Sequence, residues 1–235
     1  MTVYTKVLTP PRVRQPIPLV LTALSKYSER TLSKSELERL LGAVELFTFA
    51  NTGLMAKRSS GGILQMYSIH ARELSSSKAT TRRKKTIDDL LRKLRDRLPV
   101  KDIFIDTFSK LRYSDQFVGD KRLIQYSLLK LMEHIAPSVS LDASSMSIEH
   151  IASQSSKEVD EASIASIGNL WFLNAEFNTK LANKSLTDKL AAYQEANTPR
   201  DKDLENAVDW NSEVIGTRSI HLAELMWDIV DKAFV

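Results

Sequence analysis

With no cysteine among its 235 residues, the chain can form neither a disulfide nor a thiolate metal site. Any metal must rest on His, Asp, Glu, Asn or water, a hard donor set that favours Mg²⁺ or Mn²⁺ over structural zinc. Hydrophobic content of 43% and charged content of 26% are those of a globular protein with a real core, with no apolar run long enough to cross a membrane and no secretory h-region after Met1, so a cytoplasmic setting is expected.

In chain order, the first sixteen residues hold three of the seven prolines and read as an extended lead-in. A helical pattern begins at "IPLVLTALSKY". The clearest helix is "SKSELERLLGAVELFTFANTGLMA": Ser33 and Glu36 form a capping box, and Leu37, Leu40, Leu41, Val44 and either Phe47 or Thr48 share one face. "GGILQMYSIHAREL" follows a Gly-Gly break. "TIDDLLRKLRDRL" is amphipathic, with Leu90, Leu91, Leu94 and Leu98 on one side, a start at Thr86 and a stop at Pro99. From Lys78 to Lys101 ten basic residues stand against three acids, a segment of +7 in a chain whose formal net charge is +4, so the remainder is −3. Such a basic island is the footprint of phosphate binding, with Arg82, Arg83, Lys84 and Lys85 as its densest cluster; the competing reading is a solvated lysine-rich helix face. "KDIFIDTFSKL" and "DKRLIQYSLLKLMEHI" complete about six helices, and no repeat is visible.

At Pro137 the character changes. "APSVSLDASSMS" reads as loop, "SIEHIA" as a short strand, "SQSSKEVDEAS" as loop with room for a short helix, and "IGNLWFL" as a second strand. "NAEFNTKLANKSLTDKLAAYQ" turns helical, and a last amphipathic helix runs from about Asn211 to Phe234. The expected fold class is therefore mainly α with a small α+β insert, divided into a helical DNA-binding or scaffold region over residues 1–136 and a second domain over 137–235.

Within the insert, Glu149 and His150 end the first strand, Asn169 begins the second nineteen residues after His150, and Asn178 lies nine residues further on, about one turn into a helix. This order resembles the ββα-metal finger of HNH (His-Me finger) nucleases. Ile148-Glu149-His150-Ile151, Gly168-Asn169-Leu170, Asn178, Lys189, Tyr193 and Trp210-x4-Ile215-x2-Arg218-x3-Leu222 together are similar to the C-terminal HNH domain of GmrSD-type modification-dependent restriction endonucleases, a group that includes the phosphorothioate-sensing SspE-like enzymes. The resemblance covers about residues 145–225. Two departures stand out: Ser153 occupies a position where the family usually has proline, and Glu149 stands where many HNH enzymes have Asp.

What the resemblance implies is a metal-dependent DNA endonuclease of a restriction or phage-defence system, acting on double-stranded DNA. His150 is the candidate general base, an imidazole being suited to that work near pH 7. Asn169 is the candidate that orients it, by bonding the backbone across the strands or the ring itself. Glu149 and Asn178 are the candidate ligands of Mg²⁺ or Mn²⁺. Because consecutive strand residues point to opposite faces, Glu149 and His150 share a site only if the strand twists or ends there. Lys180, Lys189 and Arg218 are candidate DNA contacts, with burial against an acid as the alternative for Arg218. His70, His134 and His221 read as structural. The family pairs this domain with an NTP-hydrolysing, modification-sensing domain, and no P-loop is visible here, so that partner is expected as a separate subunit or an upstream part of a longer protein. The alternative to a nuclease is a non-catalytic DNA-binding or interaction module with a degenerate finger, the reading favoured by Ser153.

Overall fold

The chain, seen in a computed structural model, is described over residues 14–56 and 61–235, so most of the lead-in expected at the N-terminus lies outside the described residues. Two compact units are formed, one by the chain up to Val100 together with Asp228–Val235, the other by Lys101–Trp227. The division falls at Val100 rather than at Pro137.

In the first unit, α1 (Ile17–Ser28), α2 (Lys34–Thr48), α3 (Gly61–Ser76) and α4 (Thr80–Arg95) pack together. Ser33 opens α2: its side chain accepts from the Glu36 amide while the Glu36 carboxylate accepts from the Ser33 amide, so two donors left over at the helix start are satisfied. The expected stripe of Leu37, Leu40, Leu41, Val44 and Phe47 is buried. The helix then widens into a π-helical stretch, Phe49–Leu54, rather than stopping. Helix α4 begins at Thr80, six residues before the expected start. Arg83 accounts for this: its buried guanidinium donates to the Ser77 and Lys78 carbonyls and to Thr80 Oγ1, tying the end of α3 to the first turn of α4.

In the second unit, α5 (Lys101–Ser109) and α6 (Lys121–Ile135) precede β1 (Met146–His150), α7 (Glu161–Ala165), β2 (Leu170–Asn174), α8 (Ala175–Leu181), α9 (Leu186–Glu195), α10 (Lys202–Glu205) and α11 (Ser212–Lys232), whose residues from Asp228 onward belong to the first unit. The strands are antiparallel, with Ile148 opposite Phe172 and His150 opposite Leu170, and Leu170 to Leu173 are all buried. The described residues are thus mainly helical with one small two-stranded sheet. The link after α5 runs along the approach to β2: the Tyr113 amide donates to the Ala165 carbonyl at 2.8 Å and the Ile167 amide to the Leu111 carbonyl at 3.0 Å. The single helix expected after β2 is two. Ala182 sits in the left-handed region at φ 41°, where a helix cannot continue, and Ser185 caps α9 by accepting from the Asp188 amide.

Candidate functional site

Strand β1 keeps its alternation to the end, so Glu149 and His150 leave it on opposite faces. The His150 ring lies against Tyr113, the ring centroids 5.9 Å apart and the planes 28° from parallel. Its Nε2 is 2.9 Å from the Tyr113 carbonyl oxygen. A carbonyl can only accept, so Nε2 carries the proton of the neutral ring and Nδ1 carries the lone pair. Burial lowers the His150 pKa below that of a free imidazole, against the Tyr113 carbonyl and the more distant Asp115, which favour the charged ring; Lys189 adds to the lowering. Only 8% of the residue is exposed, so the candidate base His150 is largely enclosed.

Asn169 does not touch that ring. Its side-chain oxygen accepts from the Ala152 amide at 2.8 Å and from Trp210 Nε1 at 2.9 Å, and its side-chain nitrogen donates to the carbonyls of Ala152 and Ile164. All four bonds available to a carboxamide are made and the residue is fully buried, which fixes the orientation of the amide. Its backbone carbonyl also accepts from the Ile151 amide. Asn169 therefore holds the two residues that follow His150, and its side chain has no capacity left for a metal or a substrate.

Glu149 points the other way, into the space beneath α9. Lys189 donates to its Oε1 at 2.5 Å and to the His150 carbonyl at 2.7 Å, and the Tyr193 hydroxyl approaches the same oxygen at 3.5 Å. The lysine is wholly buried and Glu149 nearly so. Burial raises the Glu149 pKa, opposed by Lys189. Two expectations are corrected by this pair. Lys189 is not placed to meet DNA, because its ammonium is enclosed and already neutralised. Glu149 is not free to bind a metal, because its charge is committed to Lys189.

Asn178, on α8, is half-buried, and its Nδ2 donates to Ser147 Oγ at 2.8 Å and to the Ile148 carbonyl at 3.0 Å. That leaves Oδ1 as the atom of this side chain open to a cation. Among the described residues no three His, Asp or Glu side chains gather as a metal cage. Of the two expected ligands only Asn178 offers an open oxygen, so the expected Glu149–Asn178 pair is not formed.

Of the remaining candidates, Arg218 follows its alternative reading, burial against an acid, and not the expected DNA contact. It is fully buried, paired with Asp201 at 2.7 Å, donating to the carbonyls of Gly168 and Leu170, and stacked over Trp171 and Trp210. It fastens the start of β2 and is closed to DNA. Arg83, buried as described, is closed to DNA as well. Lys180, Arg82, Lys84 and Lys85 are exposed. Sequence reasoning missed Tyr113, whose partner is 37 residues away and whose contribution is a backbone carbonyl, which any residue supplies and no residue type announces. The reason for Gly168 is visible only in the fold: a Cβ there would collide with the Ile215 carbonyl and with Ser219 Oγ.

Residues 72–225 match the family described as GmrSD restriction endonucleases, C-terminal domain. No curated protein matches the chain.

Proposed function

Because the chain belongs to the family of GmrSD restriction endonuclease C-terminal domains, we propose that it is an HNH-type DNA endonuclease in which β1, β2 and α8 form a ββα finger and His150 is the general base. The observation that carries the reading is the bond from His150 Nε2 to the Tyr113 carbonyl. It leaves Nδ1 unprotonated, and burial keeps it so at neutral pH. Nδ1 takes a proton from the attacking water as its oxygen closes on phosphorus, and the 3′ oxygen leaves. Asn169 supports this by holding the backbone after His150, and Lys189 by holding the His150 carbonyl. A divalent ion on Asn178 Oδ1, Mg²⁺ or Mn²⁺, would neutralise charge on the phosphate and on the departing oxygen.

Double-stranded DNA is the substrate in this reading. The exposed Arg82, Lys84 and Lys85 on α4 and Lys180 on α8 contact its phosphates. An NTP-hydrolysing, modification-sensing domain or subunit supplies target choice in a cytoplasmic defence system. No described helix is long and apolar enough to cross a membrane. The test is relaxation of supercoiled plasmid with Mg²⁺ or Mn²⁺ against EDTA, for the parent and for His150→Ala. Nicking that needs the metal and is lost in the variant supports the reading; plasmid retarded in a gel but never relaxed by the parent selects a DNA-binding module instead.

A further inference from the structure

Beside the loop that follows His150 lies a cavity of about 310 Å³. Buried Ile151 and Val159 and half-buried Leu186 and Trp210 give it an apolar wall, while Lys157 and Lys184 are exposed at it. Among the described residues neither lysine has a carboxylate or other polar side-chain partner. Glu158 is the acid in the lining, so the exposed charges sum to +1. The wall is held in place: the Trp210 indole N–H and the Ala152 amide share one acceptor, the Asn169 side-chain oxygen, which ties the cavity to the backbone just beyond His150. Ser153, in place of the expected proline, also lines it, its hydroxyl bonded to Ser155 at 3.0 Å.

We infer that this cavity is a binding subsite for one nucleotide of a nucleic-acid strand, its phosphate between Lys157 and Lys184 and its base or sugar against Trp210 and Leu186. The identity of the ligand rests on the nuclease reading above. The volume is at the small-ligand end of binding sites, enough for one nucleotide. An aromatic and aliphatic wall with cations beside it is the pairing that single strands use, a flat apolar face for the base and positive charge for the backbone. A residual charge of +1 matches one phosphodiester, and Glu158 disfavours a run of phosphates passing through.

The experiment is titration of the ¹⁵N-labelled full chain with the dinucleotide pTpT, followed by NMR, alongside Lys157→Ala/Lys184→Ala. Both lysines are exposed and outside the catalytic machinery, so the variant keeps its fold. The expected result is movement of the Trp210 indole N–H resonance and of the Lys184 and Ser185 amides, with binding weakened about tenfold or more in the variant. Shifts confined to other residues, no shift at all, or parent-like affinity in the variant each overturn the subsite. Plasmid nicking separates the two readings. A parent that nicks while pTpT leaves Trp210 unmoved keeps the nuclease and removes the subsite; a parent that never nicks while pTpT moves Trp210 does the reverse.

Discussion

His150 sits where two requirements conflict: a base must reach water, yet only an enclosed imidazole is held in one tautomer. Its stack on Tyr113 and its bond to the Tyr113 carbonyl resolve this in favour of order. His150→Ala is therefore expected to slow plasmid nicking by about 10²–10⁴-fold and also to lower stability by roughly 1–3 kcal/mol, since a carbonyl loses its donor. Single-turnover rates and urea melts measure the two effects; a parent rate in the variant ends the assignment. The pH dependence has a sign. Burial puts the folded pKa of His150 below the ordinary value of about 6.5, so the rate should rise with pH through a limb below that value, and the limb should vanish in His150→Ala. In the unfolded chain the ring protonates at higher pH than in the fold. His150 thus contributes stability above about pH 6.5 that is lost as pH falls through its folded pKa. Glu149, raised by burial, has the opposite sign, its contribution being lost as pH rises, and it is common to parent and variant, so comparing melts of both at pH 7.5 and 5.5 isolates the histidine. At Asn178 the two atoms of the amide separate two roles. Asn178→Ala should cost about 1 kcal/mol through the missing bonds to Ser147 and Ile148, with an activity loss partly restored by raised Mn²⁺. Asn178→Asp, which keeps the oxygen, should retain metal-dependent nicking while losing the bond to the Ile148 carbonyl, since the Ser147 hydroxyl can donate to the carboxylate instead.

Strand β2 is fastened from both sides before any chemistry is possible, and that is where the sequence is least legible. Its hydrophobic run, the preceding glycine and the spacing from His150 to Asn169 and Asn178 are readable because strand pairing and helix periodicity are local rules. The capping box at Ser33 and the buried stripe of α2 are readable for the same reason. The Lys189–Glu149 and Arg218–Asp201 pairs are not. Charge in a sequence reads as surface, and only the fold shows that each cation is enclosed with its own acid. The break at Ala182 is hidden because alanine is a residue little expected there. These elements carry a prediction. Lys189→Met leaves Glu149 buried without its cation and the His150 carbonyl without its donor, and should cost about 3–5 kcal/mol. Lys189→Met combined with Glu149→Leu should recover much of that loss. A thermal melt in which Lys189→Met matches the parent would mean that the pair does not hold β1. Gly168→Ala should be as damaging, because the added methyl meets the α11 backbone, which cannot step aside as a flexible side chain can.

At the scale of the whole molecule, the exposed cations of the basic segment and the proposed base His150 belong to different compact units. The basic segment is strongly positive by composition, but its halves differ. Arg92 and Lys93 are paired with Asp89, and Arg95 with Asp231, so much of the C-terminal half of α4 is neutralised within the protein. Arg82, Lys84 and Lys85, in the N-terminal half, are exposed and have no ion-pair partner among the described residues. Arg83 lies between them in sequence but is spent on the link from α3. Helix α4 also falls inside the span matched by the family, so its cations belong to the domain. If the three exposed residues each neutralise one phosphate, changing all of them to Ala should lower the slope of log affinity against log salt by roughly 2.7, about 0.9 for each phosphate left without its cation. Arg83→Ala should leave the slope unchanged and lower the melting temperature instead. Cutting at saturating DNA should survive the triple change, because His150 and its supports lie in the other compact unit. Fluorescence anisotropy across a salt series reads the slope, and single-turnover nicking reads the chemistry. An unchanged slope in the triple variant would reduce the basic island to a solvated helix face and leave phosphate binding to Lys180.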